Sequence, residues 1–120
     1  LPADERARAN LRERLTARFA RMLQAGLLEE VARLHARGDL TAQHASMRAV
    51  GYRQLWQVFD GVVSVAEAQR QAVIATAQLA KRQLTWLRRE PDLTVLPVDP
   101  AVAVGQAEAL TAQILAACCA

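Results

Sequence analysis

With 120 residues the chain has room for one domain and a modest core. Hydrophobic residues make up 52% but aromatics only 4%, so the apolar content is largely Ala, Leu and Val, which suits helices and excludes an all-β fold. The formal charge is +3, and it is unevenly placed. Residues 48–89 hold seven cations (Arg48, Arg53, Arg70, Lys81, Arg82, Arg88, Arg89) against two acids (Asp60, Glu67), which leaves +5 there and −2 elsewhere. A basic middle third is what a phosphate-binding face requires. Fourteen of the fifteen cations are Arg, which forks onto phosphate better than Lys, although a GC-rich genome produces the same bias. Cys118 and Cys119 are adjacent, with no CxxC and no matched His spacing, so neither a metal site nor a disulfide framework follows. There is no signal peptide and no apolar run of membrane length, which points to the cytoplasm. The first residue is Leu rather than Met, as expected for a piece of a longer protein.

In chain order, Asp4 can cap a helix from about Glu5 to Ala25, with Ala7, Leu11, Leu15, Phe19 and Met22 as its apolar stripe. Arg14, Arg18 and Arg21 form a ridge beside that stripe, with Arg18 nearest its border. A cation there could meet a bound phosphate in a partly desolvated setting, or could snorkel over the core. Gly26 interrupts the helix, and Leu27, Val31 and Leu34 give a second stripe. Glu29 and Glu30 stand in its first turn and Arg33 and Arg37 in its last, the order the helix dipole favours. Gly38 suits the position after the helix, and Asp39 to Ser46 reads as a polar loop. His35 and His44 lack partners at ligand spacing and read as surface histidines.

The octapeptide Met47-Arg48-Ala49-Val50-Gly51-Tyr52-Arg53-Gln54 follows. Tyr52, Leu55, Trp56 and Phe59 recur at helical spacing, so a helix runs to Phe59 and stops at Asp60-Gly61. Glycine inside a helix costs about 1 kcal/mol relative to Ala, so Gly51 calls for a reason. Either something approaches the backbone closely there, with Arg48, Arg53 and an aromatic able to stack a base and hold its phosphates, or the segment is a tight turn with Tyr52 in the core.

Ser64-Val65-Ala66-Glu67 matches a capping box and opens a helix to about Arg89, roughly 37 Å long at 1.5 Å per residue. Val73, Ala77, Ala80, Leu84 and Leu87 make its apolar stripe. Gln78, Lys81, Arg82, Thr85, Arg88 and Arg89 occupy an arc with no acid in it, and Trp86 stands to the side above Leu79 and Gln83. Such an arc is a solvated basic face or a polyanion site. Pro91 ends the helix. Leu93 to Val98 reads as a strand with no partner elsewhere in the sequence, so its sheet is expected in residues outside this chain. Asp99-Pro100 supplies an N-cap and first residue for a last Ala- and Leu-rich helix to about Ala117.

Several blocks, in order, resemble the tRNA dimethylallyltransferases: Arg18-Phe19 with Met22-Leu23 and Gly26-Leu27-Leu28-Glu29-Glu30-Val31; Arg37-Gly38-Asp39-Leu40; Arg48-Ala49-Val50-Gly51-Tyr52-Arg53-Gln54 with Trp56; and Ala75-Thr76 with Gln78 through Arg88. The last two are the most specific, and together the blocks span about residues 10–96. The resemblance implies transfer of a dimethylallyl group from its diphosphate to N6 of the adenine just 3′ of the tRNA anticodon. It implies a nucleotide-binding P-loop-kinase-like α/β core with a helical insertion, and a target base flipped into a channel. The implied Gly-rich loop that holds the diphosphate and Mg²⁺, and the implied catalytic Asp, belong to an N-terminal half; no GxxxxGK[ST] occurs here.

On this reading the chain is mainly α, the helical C-terminal part of a P-loop-kinase-like enzyme. Residues 1–92 form a helical tRNA-contacting region, and residues 93–120 a strand and helix that dock on the α/β core. The chain carries no catalytic residue and no metal site of its own. Arg18 resembles the family's Arg beside the dimethylallyl diphosphate. Arg48, Ala49, Val50, Gly51, Tyr52 and Arg53 resemble one tRNA-contact segment; Lys81, Arg82, Gln83, Thr85, Trp86 and Arg88 resemble a second, both serving the anticodon stem-loop. The full-length enzyme is expected to be monomeric and not membrane-bound. Two positions depart from the family pattern: Ala77 stands where a basic residue is usual, and Ala45 where Pro precedes Ser46. The competing readings are a stand-alone helical RNA-binding module without catalytic activity and a helical interaction domain with a solvated basic face.

Overall fold

The computed structural model describes residues 5–97 and 99–118, without the side chains of Ala7, Pro100 and Cys118. Five α-helices follow one another: α1 (Glu5–Gln24), α2 (Leu27–Ala36), α3 (Tyr52–Phe59), α4 (Val65–Leu87) and α5 (Pro100–Cys118), with a single 3-10 turn over Ala45–Arg48 before α3. The chain is mainly α, as its composition requires. It divides into two compact units, residues 2–86 and residues 87–120.

In the first unit the core is built where α1, α2, α3 and the first half of α4 meet. Phe19, Leu27, Val31, Met47, Leu55, Trp56, Ala68 and Ala72 are buried together, Val31 and Leu55 completely. Burying a Val or Leu side chain stabilises by about 1.5–3 kcal/mol each. The expected α1 stripe is displaced: Phe19 is buried and Leu23 packs on the core, whereas Met22 is exposed. Gly26, at φ +100, reverses the chain after α1 and offers its carbonyl to the Glu30 N–H at 3.0 Å. Asp4, the expected cap of α1, lies outside the described residues.

Two side-chain contacts fix the relation of α2 to α3. Tyr52, first residue of α3, donates its hydroxyl to Glu30 in the first turn of α2. His35, in the last turn of α2, lies 2.9 Å through Nε2 from Oδ1 of Asp60, the C-cap of α3. The helices therefore run side by side in the same direction, and residues 37–51 must return the chain from the end of α2 to the start of α3. On that return path Met47 is buried in the 3-10 turn. The sequence reading missed this turn, because a single turn has no period.

The surface assignment of His35 does not hold. Its ring is half-buried, 4.7 Å from the Trp56 ring and 5.7 Å from that of Phe59. Only the fold brings the partners of residue 35 together at residues 56–60. His44 is exposed but partnered: the Thr41 N–H donates to its Nδ1 at 2.9 Å.

Ser64 caps α4 by accepting from the Glu67 N–H at 3.2 Å. The reciprocal half of the box is replaced, since the Glu67 carboxylate turns to Arg70 and Gln71. Ala68 and Ala72, four apart and small, let α4 reach the core. Beyond Val73 no residue of α4 belongs to that core.

In the second unit, residues 93–97 carry no strand; the strand expected over 93–98 was one whose partner sheet lies outside this chain, and Val98 lies outside the described residues. A strand exists only through its ladder partner, and the described residues offer none. Asp99 caps α5 as expected, with Oδ1 accepting from the Ala101 N–H at 2.9 Å and the Val102 N–H at 3.3 Å. Cys119 is outside the described residues. No helix among them is long and apolar enough to cross a membrane.

Replacing Leu55 by Ala is expected to lower unfolding free energy by about 2–5 kcal/mol, because the site is fully enclosed. Urea denaturation followed by helical circular dichroism measures it, with the slope unchanged.

Candidate nucleic-acid interface

The turn before α3 is shaped by one residue. Gly51 has φ +100 and ψ −62, a conformation that side-chain-bearing L-residues rarely adopt. It is buried, and a Cβ there would lie 3.4 Å from Cε2 of Phe19. The close approach anticipated from the sequence is thus made by the protein's own α1. The Gly51 N–H donates to Oε1 of Gln54 at 2.8 Å, which gives that buried side chain its acceptor role. The Arg53 N–H returns to the Ala49 carbonyl at 3.0 Å and the Leu55 N–H to that of Gly51 at 3.0 Å. Around this locked backbone Arg48, Ala49, Val50 and Arg53 are exposed, and Tyr52 is half-buried against the core.

Arg18 precedes Phe19 on α1 and is exposed. The Phe19–Gly51 contact therefore ties the helix that carries Arg18 to the turn that carries Arg48 and Arg53.

In the second segment Lys81, Arg82, Gln83, Thr85 and Trp86 are all exposed. Trp86 is 72% exposed, so its ring offers an open stacking surface. The Thr85 hydroxyl donates to the Lys81 carbonyl at 3.0 Å, so toward a ligand it can act only as an acceptor. Arg88, also exposed, follows α4 in the second unit.

The ion pairs sort the cations. Arg37 forks onto Asp39 at 3.0 and 2.7 Å, and Arg70 onto Glu67 at 2.8 and 2.7 Å. The hydrogen bond from Arg70, helped by that from Gln71, holds the Glu67 carboxyl down at about 2. By contrast Arg18, Arg48, Arg53, Lys81, Arg82 and Arg88 have no acid partner among the described residues. Exposed guanidinium and ammonium groups left without a carboxylate are free to meet phosphate oxygens.

Among the described residues no three His, Cys, Asp or Glu side chains gather as a metal would need. With no Walker-type loop in the sequence, the residues present do not fit a site for the Mg²⁺ that the resemblance implies.

The sequence profile of the IPP transferase family matches residues 3–90. The chain belongs to this family. Curated relatives named tRNA dimethylallyltransferase include those of Bordetella petrii, 50% identical over 109 residues (91% of this chain, 35% of the relative), and Thioalkalivibrio sulfidiphilus, 47% identical over 112 (91% and 34%). A third, from Albidiferax ferrireducens, is 50% identical over 103 residues (86% and 29%). The chain spans about a third of the length of these relatives. The IPP transferase match takes in α1 to α4 and every candidate contact residue, and it stops short of α5.

Sequence reading of the candidate interface missed the contacts of Glu30 and Gln54. Gln54 was legible in principle, three residues after a glycine at a helix start, where a side chain can reach back to the N-cap amide. Glu30 was not, since 22 positions separate it from Tyr52.

Two measurements check this geometry. Gly51→Ala is expected to destabilise by about 1–3 kcal/mol through the positive φ, read by thermal or urea unfolding. The hydrogen bond to Glu30, then burial, then the nearby carboxylate charge raise the Tyr52 hydroxyl above its ordinary 10.0. The stability this contact contributes is complete below pH 10.0 and is lost as pH rises through the raised value. Tyr52 is the single tyrosine, so tyrosinate absorbance reports it alone. Glu30→Ala is expected to bring the midpoint down toward 10.0.

Proposed function

We propose that this chain is the tRNA-gripping C-terminal part of a tRNA dimethylallyltransferase. In that role Arg48 to Arg53 and Lys81 to Arg88 hold an anticodon stem-loop, and Arg18 meets the diphosphate of the dimethylallyl donor. The observation that carries the reading is the IPP transferase match over residues 3–90, which encloses both basic segments. The exposed cations without acid partners support it. So does the chemistry of a splayed RNA loop, which calls for cations on the backbone and aromatic faces under the bases.

The alkyl transfer itself, with its P-loop, Mg²⁺ and base, is assigned to the α/β part of the enzyme; this chain positions the RNA. The assembled enzyme works as a monomer in the cytoplasm. Residues 93–120 dock on the α/β part. In support, α5 has one ionisable side chain, Glu108, before Cys118, and exposes Val102, Val104, Ile114 and Leu115. A helix apolar on all sides is normally a covered one.

Titration of a labelled anticodon stem-loop across a salt series tests the proposal. Affinity is expected to fall linearly with salt on logarithmic axes. The Arg53→Glu, Lys81→Glu, Arg88→Glu triple variant is expected to lose about tenfold or more and to flatten the slope by roughly one unit per phosphate contact. Unchanged affinity would assign these cations to a solvated face. Dimethylallyl transfer is expected to be undetectable with the 120-residue chain alone, and detecting it would place the chemistry here, against the proposal.

A further inference from the structure

We propose that Glu30 is a positioning residue for RNA recognition: its carboxylate holds the Tyr52 ring ready as a stacking platform in the segment from Arg48 to Arg53. The inference rests on the reading of residues 48–53 as a tRNA contact. Three observations lead to it.

First, the Tyr52 side chain is restrained at both ends. Its Cα opens α3, directly after the buried Gly51, and its hydroxyl donates to Oε1 of Glu30. One part of the ring packs on the core while the residue stays partly exposed. A tyrosine turns about two torsions, and these contacts leave neither free.

Second, apart from the first-turn position that suits the α2 dipole, which Glu29 shares, the hydrogen bond from Tyr52 is the one side-chain contact of Glu30 among the described residues. Glu30 is exposed and makes no ion pair among the described residues, although six arginines lie on α1 and two more on α2 and directly after it. A carboxylate beside a proposed polyanion site opposes binding through its charge. Its service as an acceptor for Tyr52 is a role that Glu29, in the same first turn, does not share.

Third, the surroundings are arranged for stacking rather than for hydrogen-bonded readout. Arg48, Val50 and Arg53, within four residues of Tyr52 in sequence, are exposed, and the backbone of the segment is fixed by the Gly51–Gln54 and Arg53–Ala49 hydrogen bonds. With the hydroxyl proton committed to Glu30, the ring face is what remains for a base. Ordering such a side chain in advance removes a cost that binding otherwise bears, equivalent to about three- to tenfold in affinity.

The test uses the full chain and an anticodon stem-loop carrying a fluorescent adenine analogue in its loop. Four proteins are compared: wild type, Glu30→Gln, Glu30→Ala and Tyr52→Phe. Glu30→Gln keeps an acceptor and removes the charge, so it is expected to bind as tightly as wild type or better. Glu30→Ala is expected to bind about three- to tenfold more weakly than Glu30→Gln, with less quenching of the analogue. Tyr52→Phe keeps the ring but frees it, and is expected to show the same loss relative to wild type. Combining Glu30→Ala with Tyr52→Phe is expected to add nothing further. Rescue by Gln separates positioning from charge. Circular dichroism at the assay temperature confirms that all variants are folded.

If wild type binds while Glu30→Ala equals Glu30→Gln and Tyr52→Phe equals wild type, Glu30 positions nothing and the RNA reading stands. Should wild type itself fail to bind, that reading falls and this inference falls with it.

Discussion

A glycine under a phenylalanine ring is the constraint on which the arrangement depends. Gly51 takes a backbone conformation that a side chain would strain, and Cε2 of Phe19 on α1 stands 3.4 Å from where a Cβ would lie. The first consequence is local: α3 can begin at Tyr52 with its N-terminal amide satisfied by Gln54. The second is global. Because Phe19 also belongs to the core formed with Leu27, Val31 and Leu55, the turn is anchored to the packing of the whole helical unit. Local strain of this kind persists only where the surroundings over-determine it, and here a ring, a buried amide and two backbone hydrogen bonds do so.

From that anchor the electrostatics follow. The unit holds Arg37 and Arg70 in bidentate pairs with acids two and three residues away, which neutralises them locally. The cations around the Gly51 turn and on the second half of α4 have no such neighbours among the described residues. An exposed ion pair contributes little to stability, so the distinction lies in which charges remain available. Arg6, Arg12, Arg14, Arg21, Arg33 and Arg89 also lack an acid partner among the described residues, so it is the family resemblance, and not the absence of ion pairs, that singles out the two segments.

Much of this was legible in the sequence, for identifiable reasons. Helices α2, α3 and α5 lie where periodicity, Gly26 and the Asp99-Pro100 cap put them, since those signals are local. The exposure of Arg48, Arg53, Lys81 and Arg82 was equally legible, because charged side chains are rarely buried without partners. What escaped were features made by distant pairs. His35 read as a surface residue because Trp56, Phe59 and Asp60 approach it only once α3 lies beside α2. Phe19 was assigned correctly to the core, yet its seat on Gly51 crosses 32 positions and leaves no trace in any window. Residues 93–97 form no strand here for the complementary reason. They have strand character, but a ladder requires a second strand, and propensity without a partner gives an irregular segment.

Helix α4 shows how such a fold displays side chains beyond its own core. Its first half is fixed in the core by Ala68 and Ala72, whose small size brings the backbone close. The half from Ile74 onward contributes nothing to that core, yet it remains helical to Leu87 because each residue added extends an existing hydrogen-bonded ladder. Thr76 and Thr85 turn their hydroxyls back onto carbonyls one turn earlier, at 2.8 and 3.0 Å, and so keep their donors out of competition for a ligand. Lys81, Arg82 and Trp86 are thereby displayed on a stiff element rather than on a loop, at fixed spacing and without a partner to displace. A rigid element of this kind presents charges with less ordering cost than a flexible tail of equal charge. The Gly51 turn reaches the same result by a different route, with strain and packing in place of helical continuity. Two basic segments of unlike construction therefore share one property, preorganisation, and that property is what the proposed recognition of a loop with splayed bases demands.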